Sequence, residues 1–341
     1  MSKATIRDVA AAAGLSVSTV NRAMHEPEKV RHETLLAVVQ AAESIKFYGI
    51  GAIKQRAQLT KPRVRVAVLL LQRHRMLYRM LGQALEAARA LSGREISMRI
   101  EHLDELSAQN VSNSLETLAA NADVVGVVSI EHPLVAATIE RLSERGVKVF
   151  ALISQLTARC SVGYVGLDAW KVGRTAGWAF YSICKQPGKI GILVGNHRYR
   201  CQETNESGFR SYFREHPSGF ELLEPQSTFE SATIARDVTE LLLSRHQDLK
   251  GLFISGGGAP GALAALRDSG RAKEIVAVGY ELTEATRAAL LDGTLNFVIS
   301  HPLDLLAKEA LQAMIQAVDG GPSFPPQSIS LPFEIFTPEN L

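Results

Sequence analysis

The sequence predicts a small all-α helix-turn-helix unit followed by a large α/β unit with parallel, doubly wound sheets. Apolar side chains in the first sixty or so residues recur at helical spacing. The rest of the chain alternates short apolar runs with helical stretches. The basic charge lies in the first part: residues 1–61 hold nine Lys or Arg against five Asp or Glu, whereas residues 62–341 hold 28 against 30.

The composition of the 341 residues is that of an ordinary globular protein, 46% hydrophobic and 21% charged. The chain has neither an apolar run of about 18 residues nor a signal-peptide pattern. Cys160, Cys184 and Cys201 are too few and too scattered for a disulfide scaffold. No cluster has metal-ligand spacing. We therefore expect a soluble, cytoplasmic protein with no cofactor and no metal.

Two helices and a tight turn are predicted near the start. Thr5 and Asp8 form a capping box that begins the first helix, and Gly14 suits its end. Ser16 can cap the second helix, in which Val20 and Ala23 face the first. Five side chains remain on the outer face of the second helix: Val17, Ser18, Asn21, Arg22 and His25. A third helix is predicted over residues 32–45, from the spacing of Leu35, Val38, Ala42 and Ile45.

This arrangement is typical of a helix-turn-helix whose second helix enters the major groove of DNA. Asn and Arg side chains can pair bidentately with adenine and guanine, while Ser18 and the methyl groups of Val17 make weaker contacts with base edges. Thr19, Lys29 and Arg31 suit phosphates. The predicted DNA-binding set also includes the two cap residues, Thr5 and Ser16. We therefore expect duplex DNA as a partner.

The stretch TIRDVAAAAGLSVSTVNRAMHEPEKV resembles the headpiece of the LacI-type family of bacterial transcription regulators. It follows the family pattern T-[IL]-x-D-V-A-x-x-A-G-V-S-x-x-T-V-S-R, with Leu15 in place of Val and Asn21 in place of the second Ser. The resemblance implies that Val17, Ser18 and Arg22 read bases and that Asn21 adds a contact.

The resemblance is weaker in the linker, where the family carries a short hinge helix that wedges a leucine into the minor groove. Gly49 and Ile50 replace the family's Pro-Asn, and Arg56 stands in place of the leucine. Two glycines raise the entropic cost of ordering this segment. Either Arg56 or Ile53 could still enter the minor groove; the alternative is a flexible linker. We place the headpiece at residues 1–48, the hinge at 49–62 and the large unit at 63–341.

Nine apolar runs predict the strands of the large unit: VAVLLL, ISMRI, VVGVVSI, VKVFALI, VGYVGL, KIGILVG, LKGLFISG, IVAVGYE and LNFVISH. Because a unit of this length exceeds what a single hydrophobic core usually holds, we expect two lobes. Ligands of such sheets bind beyond the carboxyl ends of the strands. The organisation resembles the periplasmic sugar-binding-protein fold, which forms the effector domain of the same family.

The predicted ligand-binding residues follow those strand ends: Arg73, Arg75, Glu131, His132, Asn205, Phe229, Gly256, Gly257, Glu281 and His301. The resemblance implies that Phe229 stacks on a sugar. Asn205, Glu281, His301 and the Gly256-Gly257 pair differ from the family's usual residues, which makes a standard hexose or pentose doubtful. A polyol, a modified sugar or a sugar acid fits equally well, and Arg73 and Arg75 would favour the acid if both point inward.

Two other functions compete with a ligand-controlled, dimeric DNA-binding regulator, most simply a repressor. Residues 256–261 satisfy GxGxxG, with Glu281 twenty residues beyond the last glycine, as in an NAD-dependent enzyme. That fingerprint usually opens a domain, whereas here it follows many strands. The solute-binding protein of a transporter would have the same cleft but no helix-turn-helix. The carboxyl-terminal segment lacks leucine heptads, so we expect a homodimer rather than a tetramer.

Overall fold

The structure, a computed structural model, describes residues 4–51, 53, 62–217 and 219–341. The backbone forms two compact parts, residues 1–65 with 87–98 and residues 66–86 with 99–341. The three-helix headpiece and the two sheets that follow it in the chain are described separately below.

Three helices make up the headpiece: α1 (Ile6–Ala13), α2 (Val17–His25) and α3 (His32–Ser44), with a 3₁₀ turn at Pro27–Lys29. The Asp8 carboxylate begins α1 by accepting hydrogen bonds from the backbone N–H of Thr5 at 2.7 Å and from its hydroxyl at 2.8 Å. These bonds hold the pKa of Asp8 below its ordinary value, the backbone bond contributing most. Gly14 ends α1 at φ 65°, and the Ser16 hydroxyl accepts from Thr19 N–H at 3.1 Å to begin α2.

The headpiece has its own apolar core. Val20 and Ala23 of α2 are fully buried, as the spacing predicted. Two residues of the segment predicted as hinge also pack on this core, Ile50 partly buried and Ile53 only 1% exposed. The remaining buried members come from α1 and α3: Val9, Ala10, Leu35, Val38, Ala41 and Ala42. The core therefore extends past the end of α3.

The large unit contains two sheets. The strands are β1 (Val64–Leu70), β2 (Ile96–His102), β3 (Val124–Val127), β4 (Lys148–Leu152), β5 (Gly163–Leu167), β6 (Lys189–Val194), β7 (Glu221–Leu222), β8 (Gln226–Ser227), β9 (Leu249–Ile254), β10 (Val276–Tyr280), β11 (Phe297–Ser300), β12 (Ser328–Leu331) and β13 (Glu334–Phe336). The first sheet has strand order β12-β5-β4-β3-β1-β2 and the second β13-β11-β10-β9-β6-β7, with β8 also paired to β6. In the first sheet β5 pairs in parallel with β12, and β1, β3, β4 and β5 pair in parallel in turn. In the second sheet β13 pairs antiparallel with β11, and the other pairs are parallel. Parallel pairing of buried, β-branched strands requires helices over the faces of the sheets.

The covering helices are α4 (Met76–Leu91), α5 (Ala108–Ala119), α6 (Pro133–Glu144), α7 (Ala169–Ile183), α8 (Arg200–Glu215), α9 (Ala232–Arg245), α10 (Ala259–Asp268), α11 (Glu284–Leu291) and α12 (Leu303–Asp319). Helices α7 and α8 can approach closely because Gly173 and Gly208 lie where they meet. A side chain at either position would overlap the backbone of the other helix. Within the described ranges, no helix is both long and apolar enough to span a bilayer.

The chain passes between the two lobes three times. After β5 it enters α7, which packs on the second lobe, and after β11 it enters α12, which packs on the first sheet. After β12, which pairs with β5, it returns to the second sheet as β13. The second passage contains His301 and Pro302. The carboxyl ends of strands from both lobes line a shared cleft.

The predicted fold class is confirmed, since each of the nine apolar runs overlaps one strand of the two sheets. The short strands β7, β8, β12 and β13 were not predicted. They are two to four residues long and largely exposed or half-buried, so they lack the continuous apolar run that identified the others.

Candidate functional site

The outer face of α2 carries the five side chains that the sequence placed there. Val17 is 40% exposed although it is apolar. Ser18, Asn21, Arg22 and His25 are exposed as well, on the side opposite buried Val20 and Ala23. A helix of 3.6 residues per turn brings positions i, i+1, i+4, i+5 and i+8 to one face. The face offers hydrogen-bonding groups and one methyl-bearing side chain, the chemistry that reads base edges.

The hydroxyls at the start of α2 bond to one another. Ser16 Oγ lies 2.9 Å from Ser18 Oγ and 2.8 Å from Thr19 Oγ1. Nearby, Lys29 forms an ion pair of 3.1 Å with Glu26, and Arg31 is exposed at the amino end of α3. Because both members of the Lys29 pair are exposed, the pair is weak and Lys29 can exchange Glu26 for a phosphate.

The two minor-groove candidates differ from the rest of the DNA-binding set. The side chain of Ile53 is buried in the headpiece core, so in this conformation it is not presented to a groove, and wedging would require it to leave that core. The apolar side chain of Ile53, which suggested a minor-groove wedge, is explained by its packing in the headpiece core. Arg56 lies outside the described residues.

A cleft of about 800 Å³ lies between the two lobes of the large unit. It is lined from the carboxyl ends of strands in both sheets, including Arg75 after β1, Ser154 after β4, Gly256 after β9 and Glu281 after β10. This position is the one that the sequence predicted. A cavity of this volume suits a small metabolite.

Backbone strain is concentrated in the cleft. Within the described ranges five residues other than glycine have positive φ, and four of them line the cleft: Ile153, Phe229, Glu230 and Glu281. Each such position costs free energy that the surrounding structure must offset, which is common at ligand sites. Phe229 is 67% exposed at φ 50°, so its ring presents an open apolar plate to the cleft.

Glu281 lines the cleft, and His301 holds it from behind. His301 Nδ1 lies 2.5 Å from Glu281 Oε1, and the backbone N–H of His301 donates to Glu281 Oε2 at 3.3 Å. Ser300 Oγ also donates to Oε2 at 3.3 Å. His301 is buried behind Glu281 and does not line the cleft, which corrects its predicted contact with ligand. Because His301 lies on the second passage between the lobes, the Glu281 carboxylate is tied directly to that connection.

Glu230 and Arg75 form an ion pair across the cleft, with Glu230 Oε2 and Arg75 Nη2 2.5 Å apart. A side chain at Gly257 would overlap the Glu230 carboxylate and crowd Arg75, and one at Gly195 would overlap Glu230 as well. Glycine at 257 therefore accommodates a carboxylate of the protein itself. Gly256 and Gly261 likewise leave no room for a side chain, because the backbone of Gly195 lies against the first and that of Ala232 against the second.

Tyrosine and cysteine side chains complete the cleft wall. Burial raises the pKa values of Tyr78 and Tyr199 well above the ordinary value for tyrosine. Burial likewise raises the pKa of the Cys201 thiol to about 12. All three groups are therefore protonated at neutral pH and can take part in hydrogen bonds without adding charge.

Four other predicted ligand residues lie outside the cleft lining. Arg73 is exposed next to the cleft. Glu131 accepts hydrogen bonds from the backbone and hydroxyl of Thr157, and the His132 ring accepts from Leu134 N–H to begin α6. The Asn205 amide nitrogen, turned toward the backbone carbonyls of Ala169 and Cys201, donates to them at 2.7 and 3.2 Å. The side chains of Glu131, His132 and Asn205 therefore bind their own protein. The predicted residues that do meet in the cleft are Arg75, Phe229, Gly256, Gly257 and Glu281.

Sequence reasoning missed Glu230, Gln202 and the two tyrosines. Gln202 and Tyr199 lie between the end of β6 and the predicted residue Asn205, and Glu230 follows Phe229 directly. Their position after a strand could have suggested these residues. Which side chains of such a loop face the cleft, however, depends on the direction in which the loop turns.

Comparison with known proteins matches two different families along the chain. Residues 5–49 match the family "Bacterial regulatory proteins, lacI family" and residues 74–322 match a periplasmic binding protein domain. The sucrose operon repressor of Escherichia coli is 43% identical over 60 residues, 17% of this chain and 18% of that protein. The D-apiose import binding protein of Paraburkholderia graminis is 23% identical over 242 residues, 70% of this chain and 76% of that protein.

A crystal structure with the same fold is that of a periplasmic solute binding protein from Actinobacillus succinogenes with bound D-allose. The TM-score is 0.74 at 17% identity, and the match covers 81% of this chain and 98% of the other. At this identity the likeness shows the fold alone. Taken with the headpiece match, these findings show that the chain belongs over its larger part to the periplasmic binding protein domain family and carries a headpiece domain of the LacI family of bacterial regulatory proteins, the domain composition of a DNA-binding transcription regulator.

Proposed function

We propose that the protein is a cytoplasmic repressor whose affinity for operator DNA is set by a small hydroxylated metabolite bound in the cleft. The observation that carries this proposal is the pairing of an exposed base-reading face on α2 with a cleft that contains one open aromatic plate and several fixed polar groups. An aromatic ring covers an apolar face of a ligand, while carboxylate, amide and phenol groups take hydroxyls.

The names of relatives agree with this ligand class. Proteins that match the cleft-bearing part include a D-apiose import binding protein and a D-ribose/D-allose-binding protein, and the relative that matches the headpiece is a sucrose operon repressor. A sugar or related polyol is therefore the effector class that we propose. The headpiece match disfavours the transporter alternative.

We further propose that the protein acts as a homodimer. One headpiece with five outward side chains makes few contacts, so a single copy would bind weakly. Two headpieces on neighbouring half-sites gain from the high effective concentration of the second after the first has bound. Dimer formation and operator affinity should therefore be lost together when the protein is diluted below its dimerisation constant, as analytical ultracentrifugation and DNA binding can show.

The DNA-binding proposal is tested by selection from genomic fragments. Purified protein should retain a small set of fragments at low ionic strength, and their affinity should fall steeply with added salt because phosphate contacts release counterions. Retention of all fragments to the same extent would contradict sequence-specific binding.

The effector proposal is tested by thermal shift with sugars, polyols and sugar acids, followed by operator binding with each compound that stabilises the protein. A true effector should change operator affinity about 5- to 150-fold, the range of typical allosteric coupling. A compound that raises the melting temperature but leaves operator affinity unchanged would be a ligand and not an effector.

A further inference from the structure

Arg75 is the one arginine among the described cleft-lining residues, and Glu230 neutralises it. The Arg75 side chain is 18% exposed and that of Glu230 is 4% exposed, so the pair is poorly screened by water. The charged neighbours in the described lining are Glu281, whose carboxylate is held by His301, and exposed Glu284; His74 adds an exposed imidazole.

Glu230 is fixed in place by more than the arginine. Gln202 Nε2 donates to Glu230 Oε1 at 2.7 Å, and Gln202 Oε1 in turn accepts from the backbone N–H of Asn196 at 3.0 Å. The backbone of Glu230 is at φ 63°, and Gly195 and Gly257 leave the space that its carboxylate fills. Several independent features thus hold one carboxylate against the guanidinium, at a cost in backbone strain.

The pair still has bonding capacity toward a ligand. Arg75 Nη1 is buried and has no hydrogen-bond partner among the residues that the structure describes, and Glu230 Oε2 has only its ionic contact with Arg75. A neutral hydroxyl can accept from the first atom and donate to the second without disturbing the ion pair. An acid would have to approach the carboxylates of Glu230 and Glu281, while the positive charge of Arg75 is already neutralised by Glu230.

We propose that Glu230 determines the charge specificity of the cleft: by occupying Arg75 it excludes acids and selects neutral polyhydroxyl effectors. This inference rests on the proposed function in taking the cleft as the effector site. Of the classes left open by the sequence, it retains the sugar and the polyol and rejects the sugar acid. Glu230 acts through Arg75 and is in this sense a positioning residue.

The test is the binding of gluconate, measured by isothermal titration calorimetry on full-length protein. Glu230→Gln frees the guanidinium, so gluconate should bind about 10- to 150-fold more tightly than to wild type, the gain expected from a charge-assisted hydrogen bond. Glu230→Asn should behave in the same way; it suits positive φ and protects the test against poor folding of the first variant. Circular dichroism and thermal melting verify each fold.

Glu284→Gln is the matched control. It removes one negative charge from the same cleft but leaves Arg75 paired, and because Glu284 is exposed the gain should stay below about fivefold. The double variant Arg75→Gln/Glu230→Gln should lose the gain. An equal gain in both glutamate variants, no gain with Glu230→Gln or Glu230→Asn, or a gain that survives the loss of Arg75 would overturn the proposal.

The proposal on Glu230 and the proposed function can fail independently of each other. If no neutral sugar or polyol stabilised the wild-type protein, the effector proposal would fail. The role of Glu230 is tested separately, by comparing the gluconate affinity of the wild type with that of the Glu230 variants.

Discussion

An Arg22→Ala variant is expected to bind operator DNA about 2–6 kcal/mol more weakly than wild type, or roughly 30-fold to 2.5 × 10⁴-fold. Arg22 is exposed on the outer face of α2, where its guanidinium can bond bidentately to guanine. One such contact contributes about 1–3 kcal/mol, and the proposed dimer makes two. The change should also relax base preference at one position of each half-site. Fluorescence anisotropy with a set of single-base operator variants measures both effects.

Arg31→Ala is the matched control for this prediction. Arg31 has the same charge and is exposed at the start of α3, but its side chain makes no cap hydrogen bond, so its truncation leaves the helix end intact. A phosphate contact should be lost uniformly across operator variants, with the salt slope reduced by about one for each contact. If Arg22→Ala gave this uniform loss as well, Arg22 would be a phosphate contact and not a base reader.

A Glu281→Ala variant is expected to bind the effector about 2–5 kcal/mol more weakly, or roughly 30- to 5,000-fold. The carboxylate is buried in the cleft wall, and its removal leaves His301 without its 2.5 Å partner. Truncating one member of a buried, hydrogen-bonded pair costs the lost contact and the desolvation of the group left behind. Calorimetry with the compound identified by thermal shift gives the affinity directly.

The matched control is Glu284→Ala, at the exposed amino end of α11 in the same cleft. Because water screens this carboxylate, its loss should change effector affinity by no more than about fivefold. Operator binding without effector shows whether each variant has kept its fold. Equal losses in the two variants would mean that Glu281 acts by general charge and that its link to His301 has no special role.

The headpiece was predictable in detail because its determinants are local. The cap at Thr5 and Asp8, the turn at Gly14 and the cap at Ser16 each depend on residues within a few positions of one another. Helical spacing then decides which side of α2 is buried. Ile53 was the exception, because whether an apolar side chain packs on a core or faces outward depends on contacts with helices far from it in sequence.

The cleft was predictable in position but only partly in content. Strand carboxyl ends located it correctly, since parallel sheets bring those ends to one edge. Arg75, Phe229 and Glu281 line the cleft. Glu131 and Asn205 instead form hydrogen bonds with backbone groups outside it. Residues that line the cleft and residues that turn away from it both follow a strand in the sequence, and their spacing does not distinguish the two groups.

The sequence by itself determined the family of the headpiece, the doubly wound sheets and the cleft between two lobes, because helix caps, periodicity and strand order act over short or regular distances. Only the tertiary structure decided that Glu230 neutralises Arg75, that the glycines at 195 and 257 accommodate this carboxylate, and that His301 supports Glu281 from behind. Each of these contacts joins segments far apart in the chain, and the free energy of a charge depends on which partner the fold brings to it.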